Sequence, residues 1–127
     1  MYEKRIARVA EWMGRERIAC AVLEDTEDRR TSGLRYLSGM NQDALLFIFA
    51  SGATVLVPWD EAMARKIARA DEIIPYTDFN RDFPTALAAL LIRGSSFPSA
   101  RIEICAATPH PVYSELCAAF PETEILC

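Results

Sequence analysis

The sequence predicts an α/β domain built on a mixed sheet of five or six strands with helices on both faces. Short apolar runs alternate along the 127 residues with longer segments of helical periodicity. One run, at 44–50, is apolar on both faces, which is typical of a central strand covered on both sides. A Ser-Gly turn joins it to a second strand at 54–58, so these two strands must be antiparallel. The sheet therefore cannot be wholly parallel.

The elements before the hairpin are assigned from apolar spacing. Apolar residues from Ile6 onward follow the i, i+3, i+4, i+7 pattern of an amphipathic helix, and residues 18–23 read as a short buried strand. The segment at 24–33 has no apolar stripe and is predicted to be a polar connection. It leads into a short polar loop that carries Tyr36 and feeds the apolar strand.

The elements after the hairpin alternate in the same way. Asp60 is a suitable N-cap for a helix over about 60–70. Asp82, followed by Phe-Pro, is a good beginning for another helix, because proline is tolerated in the first turn. The other predicted elements are a brief strand at 72–76, a loop at 93–99, a strand at 101–106, a helix after Thr108 and a final strand at 123–127.

Composition excludes several classes of partner. The net charge is −4, and no basic patch indicates a nucleic-acid partner. The first residues lack the apolar core of a signal peptide. None of the apolar runs approaches the ~20 residues that span a bilayer. The four cysteines form no C-x-x-C pair and fit reduced thiols. We therefore expect a cytoplasmic protein with neither a nucleic-acid nor a membrane partner.

The chain lacks the usual motifs of catalysis and metal binding. Its five glycines form neither a G-x-G-x-x-G nor a P-loop pattern. The single histidine, His110, lies between two prolines and has no cysteine pair at zinc-ligand spacing to join it. A nucleophile elbow of the G-x-S-x-G type is also absent. We therefore predict no catalytic residue and no metal ligand within this chain.

The acidic stretch "EDTED" directly after the first strand is the sharpest cluster of charge. Carboxylates at the carboxyl end of an α/β strand lie where such folds place ligands, and they could bind Mg²⁺. Glu24, Asp25 and Asp60 would supply the acids of a receiver-like module. The late lysine of a receiver is missing, since the only lysines are Lys4 and Lys66, and a receiver sheet is wholly parallel. A stand-alone binding or signalling module and a simply solvated loop are the alternatives here.

Several short segments along the chain resemble sequence motifs of one known family. "RIARVAEWMGRERIACAVL" is similar to the opening helix and strand of the N-terminal domain of the creatinase, prolidase and aminopeptidase P family. "LRYLSGM", at 34–40, resembles that family's Arg-Tyr-Leu-Thr-Gly-like motif, with Gly33 where the family usually has Asn. The strand ending in "VP", the helix "EAMARKIA" and the closing "VYSELCAAFPETEIL" continue the resemblance to the end of the chain.

The resemblance implies a fold for this chain and a separate domain for catalysis. Residues 1–127 would form the family's N-terminal domain, with its ribonuclease H-like motif. The members are Xaa-Pro dipeptidases, aminopeptidases and related hydrolases. Their C-terminal pita-bread domain holds two divalent metals, often Mn²⁺, through two Asp, one His and two Glu. That catalytic domain is expected to be absent from this chain. An alternative is that the full-length protein is a creatinase-like hydrolase that does not act on peptides.

The resemblance also implies partners and candidate site residues. The domain would contact its own C-terminal catalytic domain, assemble as a homodimer and touch a peptide substrate only indirectly, if at all. Arg35, Tyr36 and Trp59 are the candidates for limiting substrate access or forming an interface. The alternative is that Tyr36 packs beneath the first helix and that Trp59 is a packing residue at a strand end.

Overall fold

The computed structural model describes residues 1–93, 101–106 and 108–127. Its strands are β1 (Cys20–Asp25), β2 (Ala44–Phe49), β3 (Thr54–Pro58), β4 (Glu72–Ile73), β5 (Arg101–Ile104) and β6 (Glu124–Leu126). Its helices are α1 (Tyr2–Glu16), α2 (Ser32–Ser38), α3 (Glu61–Ile67), α4 (Phe83–Arg93) and α5 (His110–Ala119). A 3-10 turn at Tyr76–Phe79 precedes α4.

The strands form one mixed sheet in the order β4-β3-β2-β1-β5-β6, which confirms the predicted fold class. Strand β2 is antiparallel to β1 and β3, and the other neighbours are parallel. Five strands therefore end at the same side of the sheet, where β2 begins. We call this side the carboxyl edge. Its residues at the strand ends include Asp25, Asp43, Trp59, Ile74 and Cys105.

Helices cover both faces of the sheet, as predicted. Helices α4 and α5 bury one face with a cluster that includes Phe83, Leu87, Leu91, Leu116 and Phe120. Helices α1, α2 and α3 bury the other face with Met13, Leu34, Leu37 and Ala64. Strand β2 alternates between the two clusters and is buried on both sides, because Leu45 and Phe47 face the first and Leu46 and Ile48 the second.

Two local predictions are wrong. Residues 32–38 are not part of a polar loop but form α2, whose Leu34 and Leu37 are buried. The predicted strand at 72–76 is only two residues long, because Pro75 ends it and begins the 3-10 turn. Of the predicted loop at 93–99, residues 94–99 lie outside the described residues.

Gly39 ends α2 in a left-handed conformation, with φ +79°. A Cβ there would lie 3.0 Å from the Tyr2 hydroxyl and 3.1 Å from the Ile67 carbonyl oxygen. We expect Gly39→Ala to lower the free energy of unfolding by about 2 kcal/mol, from left-handed strain plus crowding. Gly52→Ala is the control, since φ there is +91° but no atom lies within 4 Å. Equal losses in urea denaturation would show that the crowding is unimportant.

Burial raises the pKa of the Cys20 thiol to about 12, from 9.0. The folded thiol therefore keeps its proton between pH 9 and 12, while the unfolded thiol loses it, and stability falls as the pH rises. At pH 10.5 we expect a loss of about 2 kcal/mol from this group relative to pH 8. Urea denaturation of wild type and Cys20→Ala at both pH values checks it. The variant should lose less stability between them, and an equal loss would contradict the prediction.

Candidate functional site

Trp59 lies at the carboxyl edge, one residue beyond β3. Its backbone N–H donates to the Asp43 carbonyl oxygen at 3.1 Å, which continues the β2–β3 ladder and fixes the main chain. The indole is 47% exposed. Its ring meets Tyr76 edge-on, at 5.8 Å between centroids and an interplanar angle of 87°. The side chain is thus half packing residue and half exposed surface.

Arg81 completes this surface, and the sequence did not single it out. Its guanidinium carbon lies 4.4 Å from the centre of the Trp59 ring, within cation–π range. Both Asn80 and Arg81 have positive φ, 55° and 53°. The turn is held by the Arg81 N–H, which donates to the Tyr76 carbonyl oxygen at 3.0 Å. We call Trp59, Tyr76 and Arg81 the Trp59 surface.

Tyr76 anchors the Trp59 surface to the core. Its side chain is buried, and this burial raises the pKa of the phenol well above its usual value. The carboxylates of Glu24 and Asp82 raise the pKa further. The phenol therefore stays protonated at neutral pH and serves as packing rather than as a base.

The acidic stretch was predicted to follow the first strand, but its first two residues, Glu24 and Asp25, are the last two of β1. Both are engaged by arginines of the loop that follows. Glu24 pairs with Arg29 at 2.5 Å between Oε1 and the guanidinium. Asp25 is only 4% exposed and accepts a hydrogen bond from the Thr31 N–H at 2.9 Å. Arg30 lies 3.3 Å from the Asp25 carboxylate and 3.0 Å from that of Asp43. This loop thereby ties the end of β1 to the start of β2.

Asp60 has a structural role of its own. Its Oδ1 accepts a hydrogen bond from the Met63 N–H at 3.0 Å, so it caps α3 as predicted. In the part of the chain that the structure describes, no group of three or more His, Cys, Asp or Glu is placed to hold a metal ion. Together with the antiparallel β1–β2 pair, these engaged carboxylates do not favour the receiver-like alternative.

Tyr36 forms a second surface, on α2. The Arg5 guanidinium lies 4.1 Å from the centre of the Tyr36 ring and 5.2 Å from that of Tyr2. It also donates to the Tyr36 carbonyl oxygen at 2.7 Å. Arg5 thus joins α1 to α2, while the Tyr36 ring is 54% exposed and Arg35 beside it is exposed too. No hydrogen bond or ring contact between described residues joins Tyr36 to Trp59.

A cleft of about 650 Å³ lies at the opposite edge of the sheet, between α1 and the β2–β3 turn. Its walls carry Glu3 and Glu11 on one side and Arg69 and Asp71 on the other. Asp71 is held by Thr54, whose N–H donates to its carboxylate at 2.9 Å. The sequence did not single out this cleft, because it depends on the packing of α1 over residues distant in the chain.

A sequence model of the creatinase/prolidase N-terminal domain matches residues 5–126. The chain belongs to this family. The match confirms the resemblance carried by the opening helix, the "LRYLSGM" motif and the closing helix and strand. No curated protein matches the sequence significantly. No helix among the described residues is long and apolar enough to cross a bilayer.

Solved structures share the fold of this creatinase/prolidase-type domain. The X-Pro aminopeptidase from Thermotoga maritima MSB8 aligns with a TM-score of 0.77 and 12% identity, covering 95% of this chain and 32% of that one. The aminopeptidase P from Streptococcus thermophilus aligns with 0.76 and 12%, covering 98% and 90%. The prolidase from Pyrococcus furiosus aligns with 0.70 and 11%, covering 94% and 33%. This chain thus spans about a third of the Thermotoga and Pyrococcus proteins, and at these identities the likeness is one of fold.

Proposed function

We propose that this domain is the non-catalytic N-terminal part of a Xaa-Pro dipeptidase- or aminopeptidase-like metallopeptidase. In that protein it serves in oligomerisation and in shaping the access of substrate to the active site. The observation that carries the proposal is the family match over residues 5–126. The fold shared with X-Pro aminopeptidases and a prolidase supports it.

The chemistry is assigned to a C-terminal domain outside this chain. Two divalent metals there, Mn²⁺ by the family resemblance, would bridge and activate the attacking water. The described residues do not offer a donor set for such a pair. Glu24 and Asp25 are paired with arginines and Asp60 caps a helix, which supports a scaffold role for them rather than metal binding.

The exposed aromatic and arginine side chains fit an interface. Trp, Tyr and Arg are the residue types that most often dominate binding energy in interfaces. Trp59 and Tyr36 are about half exposed, and each is fixed by contacts to a buried or helical neighbour. The partners proposed for them are the catalytic domain and a second copy of the chain, with a peptide substrate contacted indirectly.

The coding sequence that follows Cys127 tests the assignment. We expect two Asp about ten residues apart by the family resemblance, then a His and two Glu. The purified 127-residue chain with Mn²⁺ should not hydrolyse Ala-Pro, while the product of the whole gene should hydrolyse a Xaa-Pro bond. Turnover by the chain alone, or a gene without those ligands, would contradict the proposal.

The role in substrate access needs a separate experiment on the product of the whole gene. Trp59→Ala and Tyr36→Ala should change the ratio of kcat/KM between a tetrapeptide and a dipeptide severalfold. Arg35→Ala tests the third candidate in the same way. Ile92→Ala is the control, because Ile92 is 63% exposed on α4, away from both surfaces. Sedimentation of each variant reports on the homodimer. Identical ratios and identical assembly in all four variants would remove this role.

A further inference from the structure

Arg81 occupies a backbone conformation that ordinary residues avoid. Asn80 and Arg81 are consecutive left-handed residues, with φ 55° and 53°. Asn tolerates this region, whereas a long side chain gains nothing from it, and Gly would adopt it without strain. Strained residues persist where the surrounding structure holds them, and they concentrate at binding sites. The strained backbone therefore makes the Arg81 side chain a candidate for a binding role.

That side chain lies where it can bind an anion. The guanidinium carbon lies 4.4 Å from the centre of the exposed Trp59 ring. None of the guanidinium N–H groups donates a hydrogen bond to another described residue, so these donors are open to a ligand. Among residues 1–93, 101–106 and 108–127, the guanidinium makes no ion pair. A planar guanidinium with open N–H groups matches a carboxylate through two parallel hydrogen bonds.

Three carboxylates close to Arg81 in the chain or on the sheet edge already have donors. Asp82, next in the chain, accepts from the Thr85 N–H at 3.0 Å and from its hydroxyl at 2.5 Å. Asp60 accepts from the Met63 N–H, and Glu24 is paired with Arg29. None of these three carboxylates forms an ion pair with Arg81 among the described residues, so an incoming carboxylate could pair with its guanidinium.

We infer that the Trp59 surface binds the terminal carboxylate of a short peptide, with Arg81 as the recognising cation. The exposed indole would contact the apolar side chain or ring next to that carboxylate. This inference rests on the proposed function and goes beyond it, because the peptide would contact the Trp59 surface directly rather than indirectly. Arg81 thereby becomes a specificity-determining residue of the domain.

Titration of the ¹⁵N-labelled 127-residue chain by NMR tests the inference. The Trp59 indole N–H is the reporter. The Trp12 indole N–H is the internal control, because Trp12 belongs to α1 and packs against the cluster on that face of the sheet. Ala-Pro should shift the Trp59 signal saturably and leave that of Trp12 in place. Ala-Pro amide, which lacks the carboxylate, should bind at least tenfold more weakly. Acetate alone should also bind more weakly, because it has no group to stack on the indole.

Two variants separate the side chain from the backbone. Arg81→Gln should weaken Ala-Pro binding at least tenfold while the thermal midpoint changes little. Asn80→Gly relaxes the same turn but keeps Arg81, and it should bind like the wild type. Equal binding of peptide and amide, or wild-type binding by Arg81→Gln, would overturn the inference. The proposed function would survive that result, because it is decided by the sequence after Cys127.

Discussion

Phe47→Ala is expected to lower the free energy of unfolding by about 3–5 kcal/mol, the range of a large aromatic removed from a packed core. Phe47 is 0% exposed and lies in the middle of β2. It is in register with Val22 on one neighbouring strand and Val55 on the other. Because both sheet faces are covered, the surrounding side chains have little freedom to fill the cavity. Urea denaturation measures the loss as a lower midpoint with an unchanged slope.

Phe49→Ala is the matched control in the same strand. Phe49 faces the same cluster but is only partly buried at the end of β2. We expect it to cost about 1–2 kcal/mol, because less apolar area returns to water. Similar losses of stability at both positions would show that the complete burial of Phe47 does not determine the cost of removing its ring. The difference between the variants is therefore more informative than either value alone.

The fold was predictable where the physical signal is local. A strand that is apolar on both sides must be covered on both sides, which favours a central position in the sheet. Strand β2 occupies such a position, between β3 and β1. The Ser-Gly turn required an antiparallel neighbour, which β3 is. Asp60 was predicted as a cap because capping involves only the next three residues.

The elements that were missed depend on distant residues. Helix α2 has seven residues, too few for a periodic pattern, and Arg5, 31 residues away from Tyr36, helps to hold it. The sequence marker of α2 is the apolar pair Leu34 and Leu37, but a strand or a loop can bury such a pair as well. Sequence alone could not decide between them.

The candidate surface was predictable only in part. Trp59 stood out as an aromatic at a strand end, and the structure shows it there, about half exposed. Arg81 did not, because its place above the indole follows from the parallel β3–β4 pair and from the turn after Tyr76. Two left-handed residues leave no reliable mark in a sequence when neither is Gly.

Arg30→Met is expected to lower the free energy of unfolding by about 2–3 kcal/mol. Removing one partner of a buried ion pair costs about 3–5 kcal/mol because the other charge stays buried. Asp25 is buried, but the Arg30 side chain is 49% exposed, so water offsets part of that cost. The variant also loses the contact to Asp43 that ties β1 to β2. Met keeps the length of the stem, so that urea denaturation reports mainly on the charge.

The exposed pair of Arg65 and Glu61 provides the control. Both side chains are about half exposed, and such pairs contribute about 0.3–0.5 kcal/mol, so Arg65→Met should cost little. Adding Asp25→Asn to Arg30→Met should recover at least about 1 kcal/mol, because the amide needs no counter-charge in the buried site. If the double variant is instead as unstable as the sum of the single ones, the two side chains act independently. The acidic stretch would then hold the carboxyl edge through Thr31 and Arg29 rather than through this ion pair.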